Sequence, residues 1–95
     1  MKGYVIANVS VEDAAAYEGY RSKTAAIIEQ YGGRILVRGG AIEVREGDPG
    51  ISRLVILEFA SVDAARTFYD SPEYQAILPI RFDTASSTLV IAQGV

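Results

Sequence analysis

The stretch "SRLVILEFASVDAARTFY", residues 52–69, passes from a β-strand pattern into a helix pattern. Its first part, residues 52–59, is rich in β-branched and large apolar residues, which is typical of a buried strand. Ser61 is a good helix N-cap, and Asp63 stands in the first turn, where the helix dipole favours a negative charge. The stretch therefore predicts a strand followed by a helix that ends near Tyr69.

The same pattern occurs earlier in the chain. When the sequence is shifted by 50 residues, Val5-Ile6 aligns with Val55-Ile56, and Asp13-Ala14-Ala15 aligns with Asp63-Ala64-Ala65. Few residues match, but each copy is a β-branched run that leads into an alanine-rich helical run. This repeat indicates two β–α halves with further strands between and after them.

Cap and turn residues predict the remaining elements. Ser10 is the expected N-cap of the first helix, with Asp13 at capping-box spacing, and Gly32-Gly33 ends that helix. A strand at 34–38 is expected to continue at 41–44, past a bulge or bend at Gly39-Gly40. The predicted strands are 4–9, 34–38 with its continuation, 52–59 and 88–92, and the predicted helices are 10–31, 61–69 and a short extra one at 72–78.

This order predicts a single α+β domain over residues 1–95 with a ferredoxin-like β-α-β-β-α-β arrangement. We expect a four-stranded sheet with both main helices on one face and with the first and third strands side by side and parallel in its centre. Both of these strands are apolar on both faces, and the helices cover only one. Because soluble monomers rarely expose such a patch, a homodimer packed sheet to sheet is expected.

Composition excludes several kinds of site. The chain has no cysteine and no histidine, so thiol chemistry, Ser-His-Asp triads and the usual zinc or haem ligands are ruled out. The net charge of −3 and the scattered basic residues argue against nucleic-acid binding, including an RNA-recognition module. With neither a membrane-length apolar run nor a signal-peptide pattern, a cytoplasmic location without membrane attachment is expected.

The segment "SPEYQAILPIR", residues 71–81, has two interpretations. Ser71 and Pro72 start a new helix, and Pro79 is expected to stop it. In the structural interpretation this short helix covers the core, and Arg81 pairs with a surface carboxylate. In the functional interpretation it walls a pocket, with Tyr74 and Arg81 pointing inward.

Three segments resemble one family in particular: "YEGY" (17–20), "YGGRILVRGG" (31–40) and "LVILEFASVDAARTFYDSPEYQAILPIR" (54–81). They are similar to the family catalogued as domain of unknown function 1330. The resemblance implies a ferredoxin-like subunit that pairs into a dimeric α/β barrel, in a superfamily that includes cofactor-independent monooxygenases, isomerases and haem-degrading enzymes. It implies no activity, because the family has none established. The turn "REGDPG" (45–50) lacks the tryptophan often found there in the family.

Six residues are candidates for a site. Glu58 interrupts an apolar strand and is a candidate catalytic base. Asn8 is its equivalent in the repeat and is expected beside it as a binding residue. The alternative is that the two form a structural polar pair. Tyr20 is a second candidate for proton transfer, or simply a core residue with a hydrated hydroxyl. The substrate-binding candidates are Arg38 and Arg81, as a clamp for a carboxylate, together with Tyr74.

Two functions remain open at this point. The first is a small-molecule enzyme, monooxygenase- or isomerase-like, without metal or other cofactor, that uses Glu58 or Tyr20 on a small anionic or aromatic ligand. The second is a non-catalytic ligand-binding or stress-related dimer. A closed pocket in which a carboxylate and an arginine converge favours the enzyme, whereas scattered polar groups favour the binding protein.

Overall fold

The computed structural model describes residues 1–95 as four strands and three helices. They are β1 (Gly3–Val11), α1 (Ala14–Gln30), β2 (Arg34–Arg38), β3 (Leu54–Phe59), α2 (Val62–Asp70), α3 (Pro72–Thr84) and β4 (Ala85–Gln93). The predicted ferredoxin-like arrangement is confirmed, with the extra helix longer than expected.

The sheet has the order β2-β3-β1-β4, and every neighbouring pair is antiparallel. β1 and β3 are central, as predicted, but the prediction that they are parallel is wrong. The crossover through α1 makes β1 parallel to β2, and β3 returns antiparallel from β2 into the space between them. β3 is therefore antiparallel to both of its neighbours.

The start of α1 differs from the prediction. Its N-cap is Asp13, whose carboxylate accepts a hydrogen bond from the Ala16 N–H at 3.1 Å, and not Ser10. Ser10 belongs to β1, because pairing with β4 continues as far as Val11 opposite Ala85. The long pairing of β1 with β4 thus extends both strands beyond their predicted ends.

Helix α3 runs through Pro79, which was expected to stop it. A proline inside a helix lacks one N–H donor, here the one that would reach the carbonyl of Gln75. Both residues are exposed, so water can satisfy the freed carbonyl. The continuous helix places Tyr74 and Arg81 two turns apart on one buried face.

Residues 39–53 contain no regular element, so the predicted continuation of β2 at 41–44 is wrong. Gly39 has a φ of 65°, in the left-handed region that glycine tolerates, and it turns the chain away from the sheet. No backbone–backbone hydrogen bond involves residues 40–52.

The two faces of the sheet differ in their surroundings. The inner face packs against the helices and builds the core around Val5, Leu57 and Phe59. The outer face has no covering layer and carries the apolar side chains of Ile6, Val37, Leu54, Ile56 and Val90. None of the three helices has the length and hydropathy needed to cross a bilayer.

Candidate functional site

A cavity of about 140 Å³ lies between the inner face of the sheet and α1. Most of its lining is apolar and comes from the core strands, Ile28 of α1 and Phe68 of α2. Its exposed lining residues, which include Arg21 and Ala25 of α1, form the mouth. An engineered cavity of about 150 Å³ holds benzene, so this one suits a body of about one aromatic ring.

Four arginines line the cavity. Arg21, at the mouth, is paired with Glu18, and we call the other three, Arg38, Arg53 and Arg81, the arginine cluster. None of the three forms an ion pair, since the ion-paired arginines are Arg21, Arg34, Arg45 and Arg66. No aspartate or glutamate lines the cavity. The site is therefore cationic within a chain whose net charge is −3.

Arg81 is the most buried member, with 3% of its surface exposed. Its Nη1 donates to the Ser87 hydroxyl, and its Nε is buried without a partner. The guanidinium lies 5.9 Å from the centre of the Tyr20 ring and 5.4 Å from that of Phe82, which offers partial cation–π compensation. Since arginine stays protonated in proteins, a full charge is held here without a counter-ion.

Arg53 was not predicted as a site residue. It precedes β3, its side chain shares the inner face with Val55, and its buried Nε also lacks a partner. The guanidinium lies against the Gly39 backbone, where an added Cβ would approach Arg53 Nη1 to 2.7 Å. The alternation along "RLVILEF" could have assigned Arg53 to the inner face. The absence of a side chain at Gly39 makes room for this arginine.

Tyrosine hydroxyls supply further polar groups of the site. Tyr17 and Tyr20 line the cavity, and the hydroxyls of Tyr20 and Tyr74 share a hydrogen bond of 2.7 Å. Burial raises the pKa of each of these three tyrosines. They therefore stay protonated near neutral pH, and Tyr74 supports Tyr20 from outside the cavity lining.

Glu58 and Asn8 lie outside this cavity, on the outer face, and the prediction that they are in contact is wrong. In the antiparallel register Glu58 pairs with Tyr4, while Asn8 pairs with Leu54 four residues away along β3. The Tyr4 hydroxyl donates to Glu58 at 3.1 Å, and Arg34 lies 3.7 Å from the same carboxylate.

Asn8 instead anchors the start of β3. Its amide nitrogen donates to the Gly50 carbonyl at 3.0 Å, and its side-chain oxygen accepts from the Ser52 N–H at 2.9 Å. A catalytic role for Glu58 and a binding role for Asn8 stay predictions, and neither residue belongs to the arginine cluster.

The structure thus brings together Tyr20, Arg38 and Arg81 from the predicted set, adds Tyr17 and Arg53, and places Tyr74 directly behind Tyr20. No group of three or more carboxylates is placed to hold a metal ion. The polar groups of the lining residues, which are guanidinium groups, phenols and the Thr24 hydroxyl, are all able to donate hydrogen bonds, and none is an anion. Chemically, the arrangement is able to bind an acceptor-rich molecule and lacks a carboxylate base.

Solved structures share this fold at low sequence identity. The protein RPA0582 of Rhodopseudomonas palustris, described as of unknown function, has a TM-score of 0.73 and 19% identity, over 99% of this chain and 82% of that one. SnoaB from Streptomyces nogalater, described as a cofactor-independent oxygenase, has a TM-score of 0.66 and 15% identity, over 99% and 93%. A protein of Thermobifida fusca, described as dimeric and ferredoxin-like, has a TM-score of 0.56 and 13% identity, over 99% and 92%.

These likenesses establish the fold alone. No curated protein sequence matches the chain. The family described as "Domain of unknown function (DUF1330)" matches residues 2–95, nearly the whole chain. The chain therefore belongs to the DUF1330 family.

Proposed function

We propose that this protein binds a small organic anion with a body of about one aromatic ring in the cavity beneath α1. The observation that carries the proposal is the lining itself, in which apolar walls meet arginines and tyrosine hydroxyls without any carboxylate. A ligand with an apolar body and an acidic group would complement both parts. An enzyme of the kind considered from the sequence would have a carboxylate and an arginine that converge in one pocket. Because no carboxylate lines this cavity, its geometry favours the binding protein.

Cofactor-independent oxygenation is the second candidate. It is favoured by the Tyr20–Tyr74 hydroxyl pair at the cavity and by the fold shared with SnoaB, which is itself described as a cofactor-independent oxygenase. In such a reaction the arginines would stabilise the anionic form of an enolic or phenolic substrate, which then supplies the electrons to dioxygen.

The working form proposed is a homodimer through the outer face of the sheet. Apolar side chains on both central strands and on β4 support it, as does the dimeric description of the Thermobifida fusca relative. This arrangement would leave the mouth of the cavity, on the helical side, open to solvent.

Titration with single-ring acids such as benzoate, followed by amide NMR shifts, tests the proposed function. We expect shifts along α1 and the inner residues of β1, with binding abolished in Ala25→Trp, which would fill the mouth. Ala26→Trp is the matched control, because Ala26 is the next residue, is also exposed and does not line the cavity. Equal binding by both variants would mean that the ligand binds elsewhere.

The same samples separate the two candidate functions. Oxygen uptake is recorded in parallel with hydroxylated aromatic acids as substrates. Saturable binding without oxygen uptake supports the binding protein, whereas uptake that Ala25→Trp abolishes and Ala26→Trp preserves supports the oxygenase.

A further inference from the structure

We infer that the ligand of the cavity carries a doubly charged anionic head group, either a phosphomonoester or two adjacent carboxylates, on a body of one ring. The inference rests on the proposed function and specifies the class of its ligand.

The arginine cluster lies at one end of the inner face. The Val9 N–H donates to the Arg53 carbonyl at 2.9 Å, and Val9 also pairs with Ser87 of β4. The row Arg53-Val9-Ser87 therefore crosses three neighbouring strands, and its outer Cα atoms are about 10 Å apart, two interstrand spacings. Arg81 reaches this row from α3 through its hydrogen bond to Ser87.

Arg38 joins the cluster from the edge strand. It pairs with Val55, one inner-face position from Arg53 along β3. The three arginines of the cluster therefore enter the lining at the same end, from β2, from the residue before β3 and from α3. Side chains as long as arginine can converge across such a row on one small head group.

Two members of the arginine cluster have no ion pair and have a buried Nε without a hydrogen-bond partner. Arg53 Nε and Arg81 Nε are both buried and unpartnered, and the hydrogen-bonding partner of Arg81 is the neutral Ser87 hydroxyl. Buried polar groups in native structures almost always have partners. Because Arg53 and Arg81 both line the cavity, their guanidinium groups are the places where acceptor atoms of a ligand would bind. A single carboxylate brings one negative charge to these two guanidinium groups, whereas a dianion neutralises both.

Most of the rest of the cavity is apolar. Away from the arginine cluster most of the lining consists of core side chains such as Val5, Ile28, Leu57 and Phe68. A charge placed there would lose its hydration without gaining a partner. The ligand would therefore bind with its head group at the cluster and its ring toward Phe68.

Four probes with a common phenyl group test the charge of the head group by calorimetry and NMR: phenyl phosphate, phenylmalonate, benzoate and benzyl alcohol. We expect at least one of the two dianions to bind about tenfold or more tighter than benzoate at pH 7.5, because each further charge-assisted hydrogen bond adds roughly that factor. Tight binding by one dianion only identifies the head group as phosphate or diacid. Benzoate as tight as both dianions would overturn the inference.

A pH series gives an independent readout. The second proton of a phosphomonoester leaves near pH 6, so affinity for phenyl phosphate should rise about tenfold between pH 5 and pH 7. Benzoate should show no such rise. The chain has no histidine, so no side chain with its usual pKa in this interval can produce the effect. A flat profile for phenyl phosphate would contradict a dianionic site.

Variants assign the effect to the cluster. Arg53→Met should weaken the preferred dianion about tenfold and bring it close to benzoate, and Arg81→Lys tests the buried position while keeping the charge. The control is Arg66→Met, which makes the same charge change at an exposed site on α2, paired with Asp63 and outside the cavity. An equal loss of affinity for the dianion in Arg66→Met would show a general charge effect and overturn the assignment.

Neutral and charged probes separate the two proposals. If benzyl alcohol binds in the cavity as tightly as the dianions, a ligand site remains and the charge inference fails. If no probe shifts the cavity residues at millimolar concentration, the proposed function fails as well.

Discussion

At the scale of single residues, the site depends on Arg53 and Arg81, which bring charge into a mostly apolar cavity. Arg81 is held by Ser87 and by the faces of two aromatic rings, and Arg53 by the Gly39 backbone. Neither arrangement includes an anion. The most informative substitutions are therefore those that move a guanidinium without removing its charge.

Gly39→Ala is such a substitution, and we expect it to destabilise the protein. The φ of 65° at Gly39 costs an L-residue about 1–2 kcal/mol, and the new Cβ would also displace the Arg53 guanidinium. Urea unfolding measures the loss of stability, and titration with the preferred anion measures the displaced charge.

Gly40→Ala is the matched control for this prediction. An added Cβ at Gly40 has no neighbour within 4 Å, and its φ is not in the left-handed region. Gly39→Ala should unfold at lower urea than Gly40→Ala, and equal midpoints would contradict the role assigned to Gly39.

At the scale of elements, the end of α1 is joined to the start of α3 by a carboxylate. The Tyr31 hydroxyl donates to Glu73 at 2.6 Å, and Gln30 Nε2 donates to the other oxygen at 3.0 Å. The hydrogen bond from Tyr31 is the main cause that lowers the pKa of Glu73 from its ordinary value of 4.5. This contact fixes α3, and with it Arg81, relative to the helix that covers the cavity.

The lowered pKa of Glu73 predicts a pH dependence of stability. The folded state binds the Glu73 proton more weakly than the unfolded state does. The contribution of Glu73 to the free energy of unfolding is therefore present above pH 4.5 and is lost as the pH falls through the lower pKa of the folded state. Glu73→Gln and Tyr31→Phe should each flatten the decline in the free energy of unfolding between about pH 5 and pH 3.

Urea unfolding at stepwise pH measures this slope. Glu29→Gln serves as control, since Glu29 is exposed on α1 and forms no ion pair. If Glu29→Gln flattens the slope as much as Glu73→Gln does, the link between the helices is not its cause.

At the scale of the whole molecule, the sheet has one covered and one uncovered face. The helices protect the inner face, and the outer face combines apolar side chains with the polar group formed by Tyr4, Glu58 and Arg34. Packing against a second copy would remove this apolar surface from water. The dimer and the ligand site then use opposite faces, so each can be disrupted separately.

Light scattering of the native protein and of Ile56→Glu tests the dimer. We expect a native dimer and a monomeric variant, because the new carboxylate would be buried in the apolar interface. Ala76→Glu, at an exposed position of α3, is the control and should remain dimeric. A native monomer would contradict the proposal, and circular dichroism shows whether the variant is still folded.

Much of the fold could be predicted from local sequence patterns, and less of the site. The apolar runs of β1 and β3, the Ser61 cap and the Gly32-Gly33 stop were sufficient for element type and order. Pro79 was misjudged, because the cost of a proline in a helix depends on whether its surroundings are exposed. Tyr20, Arg38 and Arg81 were recognised as candidates, but Arg53 was missed and Glu58 was placed beside Asn8.

The sequence by itself determined the alternation of strands and helices, the two apolar faces of the central strands and the absence of histidine and cysteine chemistry. These follow from residue type and from periodicity along a short stretch of chain. Only the tertiary structure decided that β1 and β3 are antiparallel, which separates Asn8 from Glu58, and that Arg38, Arg53 and Arg81 line one cavity. The physical reason is that register and crossover direction determine which strand ends meet, and both depend on contacts between residues that are distant in sequence.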